Sequence, residues 1–238
     1  MRRFYLLFAV LATLVAAPSA QAGGGDHRDW RGHGKHGRSD RAAIVPAGLA
    51  GAPLLTEWWR EPLSKSADDP TNPFNSGGCR MITRSVALNY GGQCTVPRGT
   101  WIFEAAYTVE CSNIEPDPFH ADTPLEAALC GLRNDRLLTE LTISLDGGDP
   151  VSLLRRRFGT FMLPGRVVVP ENGLFGGTPG EIMRYGGHGY VAFIRPLPVG
   201  EHTLRTHVEG TVEGIPPEGF DFDTTITVTP RKRVRPRV

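Results

Sequence analysis

Residues 94–111 read CTVPRGTWIFEAAYTVEC, a strand-like run with a cysteine at each end. Trp101, Phe103, Ala105, Tyr107 and Val109 alternate with Ile102, Glu104, Ala106, Thr108 and Glu110. This period of two predicts a strand packed on a core, entered through a turn at Pro97 and Gly99. Working outward, the chain has four cysteines, Cys79, Cys94, Cys111 and Cys130, which admit three connectivities if fully paired. Cys79 and Cys94 flank a short hairpin turning at Gly91-Gly92. Cys111 ends the central strand, and Cys130 falls on the next helix. The expected pairs are Cys79–Cys94 and Cys111–Cys130, each worth about 3 kcal/mol in loop entropy.

That next helix carries the clearest start signal in the chain. Thr123-Pro124-Leu125-Glu126 combines a capping box with a proline in the first turn. Leu125, Ala128, Leu129 and Leu132 form one stripe at helical spacing, which predicts the face it buries. A second short helix is expected at Pro53–Pro62, with Leu55, Trp58, Trp59 and Pro62 on one side. After Leu137 the period returns to two. Leu141, Ile143 and Leu145 lead to the turn Asp146-Gly147-Gly148-Asp149. Further runs follow at 151–163, 167–169, 190–194, 202–208 and 220–229, with 171–189 read as a glycine-rich loop. This spacing of strands and Gly/Pro turns predicts a mainly β domain: a single antiparallel β-sandwich, jelly-roll-like, with two short helices.

Residues 1–22 have Arg2 and Arg3, an apolar run from Phe4 to Ala17, and Ala20-Gln21-Ala22 as a small-residue cleavage site. This is the pattern of a secretory signal peptide. Residues 23–52 read as a disordered Gly/His/Arg-rich linker, whose His27, His33 and His36 have no fixed geometry. The folded domain is expected over 53–230, followed by a basic tail at 231–238. The expected location is periplasmic or extracellular, with no transmembrane segment in the mature protein. The formal net charge of +1 conceals an asymmetry. Residues 42–230 carry 14 Lys/Arg against 22 Asp/Glu, or −8, whereas the tail carries +5. Attraction to a polyanion must therefore come from the ends, and no specific nucleic-acid partner is expected.

Several groups of residues bear on chemistry. Trp58 and Trp59 read as core fillers or, alternatively, as a sugar-stacking platform. Glu104 and Glu110, on one face of an unbroken strand, would stand ~20 Å apart. A glycosidase pair needs about 5–9.5 Å. Arg155 and Arg157 share a strand face and offer a bidentate anion contact or a charged edge. Asp221 and Asp223 read as outward, solvated charges, and His202 as a core histidine, with His207 and Glu209 on the opposite face. Neither a metal site nor a cofactor is predicted, and the catalytic residues are unknown.

TEWWR (56–60), QCTVPRGTWIF (93–103), ECS (110–112), LEAALCGLR (125–133) and PLPVGEHTL (196–204) resemble a family of exported bacterial proteins. The resemblance spans 54–229 and departs at 79–92, where such proteins have a longer, tryptophan-containing segment. It implies a secreted β-rich domain with paired cysteines and carries over no catalytic residue. The expected function is an exported, soluble, non-catalytic module with a binding or structural role, associating with anionic cell-surface material or polysaccharide through its tail. The alternative is an extracellular hydrolase acting on carbohydrate, with a site assembled from Glu104, Glu110 and the indoles.

Overall fold

The computed structural model describes residues 43–211 and 219–231. The signal segment, residues 23–42 of the linker and all of the basic tail except Arg231 lie outside them. The described chain is mainly β and forms two sheets. One contains β1 (Ile44–Pro46), β2 (Cys79–Thr83), β3 (Val86–Asn89), β5 (Trp101–Ser112), β8 (Gly159–Phe161), β9 (Gly165–Val168) and β10 (Ile182–Ile194). The other runs in the order β4 (Gly92–Pro97), β12 (Phe220–Thr229), β11 (Gly200–Gly210), β6 (Leu138–Leu145), β7 (Val151–Ser152). Both are mixed sheets, departing from the antiparallel expectation. β3 runs parallel to β5, and β4 runs parallel to β12. The helices are α1 (Gly51–Leu63), α2 (Pro73–Ser76) and α3 (Pro124–Asp135), one more than expected because a single turn forms at α2 behind an Asn72 cap.

Ile102 and Ala106 of β5, Ala192 and Ile194 of β10, Leu141 and Ile143 of β6, Leu204 of β11 and Ile226 of β12 belong to one buried cluster, so the two sheets share a core. A second cluster lies on the other side of the seven-stranded sheet, where Leu55, Trp59 and Leu63 of α1 meet Leu88, Phe103 and Val191. The central strands of the seven-stranded sheet are therefore covered on both faces, while β9 and the start of β10 alternate buried and exposed residues. The five-stranded sheet alternates buried and exposed residues, as β11 and β12 show.

The disulfides form as expected, Cys79–Cys94 and Cys111–Cys130. The first joins β2 to β4 and so staples one sheet to the other. The second joins β5 to α3. The structured chain also reaches further toward the N-terminus than residue 53, since β1 pairs with β10 within the stretch read as linker.

Three expectations change for physical reasons. First, β10 begins at Ile182, inside the stretch 171–189 read as a glycine-rich loop. Gly187 and Gly189 sit where an added Cβ would lie 2.0 Å from Val109 O and 2.6 Å from the Thr108 methyl, so glycine permits close strand approach here. Second, α3 buries Ala127, Cys130, Gly131 and Asp135, while Leu125 is 69% and Leu129 50% exposed. A Cβ at Gly131 would lie 2.4 Å from His188 N, so the helix packs on β10 through its small residues and turns the leucine stripe outward. Third, Arg155, Arg156 and Arg157 occupy a turn between β7 and β8, closed by Phe158 N–H donating to Arg155 O at 2.8 Å. The shared strand face of Arg155 and Arg157 does not exist. Both are exposed, and Arg157 lies over the Phe158 ring.

Candidate functional site

The indoles are internal. Trp59 is 5% exposed and donates from Nε1 to Thr108 Oγ1 at 3.1 Å. Trp58 is half-buried, donates to Asn89 O at 2.7 Å and stacks on Tyr90 with centroids 5.1 Å apart. Phe74 closes the group against both. Helical spacing brought Leu55 and both tryptophans to one face, and the sheet beneath supplied polar partners for the indole N–H groups.

Glu104 and Glu110 are brought to opposite faces of β5. Tyr190 pairs with Tyr107 and Val191 with Ala105, so Ala106 is an extra residue and the strand's parity inverts there. Glu104 points into the core between the sheets. Asn89 Nδ2 donates to its Oε2 at 2.5 Å and to Thr224 Oγ1 at 3.3 Å, joining β3, β5 and β12. Burial pushes the Glu104 carboxyl up to about 7, against the lowering effect of the Asn89 bond.

Glu110 lies on the far side of the bulge with Glu115, also buried. The Ser112 hydroxyl donates to Glu115 Oε2 at 2.9 Å, and Glu110 and Glu115 stand together as a buried carboxyl pair. Burial first, and then the adjoining Glu115, drive Glu110 well above the carboxylate range. Burial raises Glu115 to about 7. Two carboxyls sharing a dry site retain a proton where separate ones would lose it. The sequence does not mark Glu115, which lies in the irregular stretch 113–118, where no periodicity places it.

Asp135 at the end of α3 reaches the Nδ1 of His188 on β10. Both are buried, and Phe161 and Tyr190 stand edge-on to the imidazole. The HGY sequence at 188–190 gave no hint of the pair, because Asp135 is recruited by helix packing.

The outward face of the five-stranded sheet has a different character. Antiparallel register sets His207 opposite Asp221 and Glu209 opposite Glu140. His207 Nδ1 lies 3.0 Å from Asp221 Oδ1, and Nε2 lies 3.1 Å from Glu209 Oε1. Arg205 donates to Asp221 Oδ2 at 2.7 Å. Partial burial lowers the His207 pKa, but its bonds to Glu209 and Asp221 and the nearby charges outweigh that, and the net direction is upward. Among the described residues, Glu140, His207 and Glu209 have potential ligand atoms all within 4.8 Å of one another. Alternation placed His207, Glu209 and Asp221 outward in the sequence. Their meeting with Glu140 needed the strand order. His202 is satisfied by Asp146 Oδ2 at 2.7 Å and by Pro198 O.

A groove of about 350 Å³ runs beside the outward face of α3, lined by His120, Glu126, Leu129, Leu132, Arg133 and Arg136. No helix of the described residues is long and apolar enough to cross a membrane. Comparison with protein-family models, curated proteins and solved structures finds no match to the chain.

Proposed function

We propose that the chain is an exported, soluble, non-catalytic β-sandwich module with a binding role outside the cytoplasm. The observation that carries this reading is the division of polar groups between the two sheets. The indoles and carboxyls that would build a sugar-cleaving cleft are internal, with Glu104 and Glu110 on opposite faces of one strand. Exposed charges gather instead on the outer face of the five-stranded sheet and in the Glu57–Arg60–Glu61–Lys65–Arg80 ion-pair network where α1 meets β2. The leader, the two disulfides and the likeness of TEWWR and the cysteine segments to exported bacterial proteins support export. The tail of +5 beside a body of −8 supports contact with anionic cell-surface material through residues 231–238.

The hydrolase alternative keeps one observation in its favour. Burial and the neighbouring carboxyl raise Glu110, and burial raises Glu115, the direction in which a general acid is tuned. Two assays decide. Incubating the mature protein with a panel of glycans and esters is expected to give turnover no greater than buffer, and turnover abolished by Glu110→Gln would install the hydrolase instead. Co-sedimentation with anionic vesicles is expected to fall on truncation after Pro230 and on raising salt. Equal binding by both forms would remove the tail from the account.

A further inference from the structure

We infer that Glu140, His207 and Glu209 form a binding site for a divalent first-row transition-metal ion such as zinc, with Asp221 as the residue that orients the histidine. Three features of the outer face lead there. The first is ligand geometry. Two donors on a tetrahedral ion with bonds of about 2.0–2.1 Å stand ~3.3 Å apart. His207 Nε2 and Glu209 Oε1 are already 3.1 Å apart. The Glu140 oxygen lies within 4.8 Å of both on an exposed, flexible side chain, so a shift of its carboxylate completes a three-ligand face. A fourth position is left open to water or to a partner's donor.

The second feature is the tautomer. Asp221 Oδ1 lies 3.0 Å from Nδ1, and Arg205 holds Asp221 from its other oxygen at 2.7 Å. A carboxylate accepting from Nδ1–H fixes the ring and leaves the Nε2 lone pair facing Glu209, the arrangement by which ligating histidines are oriented. The third is charge. Glu140 and Glu209 are directly opposite across β6 and β11, a like-charge placement that destabilises a sheet unless a cation lies between them. Arg205 is engaged by Asp221, so among the described residues His207 or a bound ion stands closest to both carboxylates. Gly219, at φ +72°, lies so close that an added Cβ would stand 2.6 Å from Glu209 Cγ and 3.3 Å from His207 Cε1. The backbone thus braces both side chains from one side.

The test uses the full mature chain, purified without a polyhistidine tag and stripped with chelator. His27, His33 and His36 are replaced by alanine in every sample, so that the N-terminal stretch cannot supply imidazoles. Zinc is titrated by calorimetry, and cobalt(II) by its visible absorption. One equivalent is expected to bind, with a cobalt spectrum of low coordination number. His207→Ala and Glu209→Gln should each weaken binding at least tenfold, and Asp221→Asn by about 10–100-fold, the range for residues behind a ligand. Circular dichroism checks that each variant remains folded, and Glu140→Gln gives an isosteric surface change should His207→Ala fail to fold. Absence of binding overturns the proposal, and so does binding that survives both His207→Ala and Glu140→Gln. In either case the cluster is a surface ion-pair network and not a metal site.

Discussion

The two sheets handle ionisable groups in opposite ways. The central strands of the seven-stranded sheet take several inside, while Arg80, Arg166 and Arg184 keep to its solvated outer parts. Glu104, Glu110, Glu115 and the Asp135–His188 pair are all buried on it or against it. The five-stranded sheet keeps its inner face apolar apart from Thr206, Thr224 and, toward one end, His202, and arrays Arg205, His207, Glu209, Asp221 and Glu140 outside. The difference follows from layering. Strands covered on both faces have no solvated side on which to place alternate residues, so polar ones within them must be neutral, paired or costly. A sheet covered on one face can keep strict alternation.

The largest effect that would break this comparison is at the aromatic layer over the seven-stranded sheet. Trp59→Ala should cost about 3–5 kcal/mol of unfolding free energy, because the ring packs against Trp58, Phe74 and Phe175. A loss below about 1 kcal/mol in urea titration would mean that the layer is a loose surface rather than a core.

Replacing both Cys111 and Cys130 by alanine should lower stability by about 3 kcal/mol, from the loop of 19 residues' separation that the bridge closes. Peptide mass mapping of the unreduced protein should return the Cys79–Cys94 and Cys111–Cys130 pairs.

The buried acids sharpen the contrast through pH. Glu104 is raised in the folded state, from an ordinary 4.5 to about 7. Its folded form therefore holds a proton that the unfolded chain has released between those values. Stability is fully present below about pH 4.5 and is lost as pH rises toward 7, by about 3 kcal/mol for this group. Glu104→Gln should restore about that amount at pH 8 and change little at pH 4.5. Denaturant midpoints that rise between pH 5 and 7 in the parent protein would contradict an internal, neutral Glu104.

The smallest effect belongs to the outer face. Arg205 and Asp221 are 56% and 40% exposed, so Arg205→Ala should shift stability by less than about 1 kcal/mol. A larger loss would make the outer face structural rather than available to a ligand.

What the residues alone reveal divides along the same line. Strict alternation made β6, β11 and β12 legible, along with the outward set of His207, Glu209 and Asp221. The capping box placed α3 correctly, and its Thr123 and Glu126 bonds are both present. The seven-stranded sheet misled wherever close packing required small residues. Glycines in β10 read as loop, and the Leu125–Leu132 stripe read as the buried face of α3, although Ala127, Cys130 and Gly131 are what fit against β10. The Ala106 bulge is likewise silent in the sequence, because a run of alternating residues carries no mark of where its parity will invert. One extra residue separates Glu104 from Glu110 more completely than distance along the strand.

The parallel pairing of β4 with β12 sets an order in time. β4 ends at Pro97, whereas its neighbour in the sheet begins at Phe220. A chain emerging N-terminus first exposes β4 long before that neighbour arrives. During this interval the Cys79–Cys94 bridge can hold β4 against the hairpin of β2 and β3, leaving its free edge open to the incoming strand. The staple between the sheets is then also a placeholder. It keeps one seat in the five-stranded sheet reserved until the last described strand slides between β4 and β11 and closes the domain.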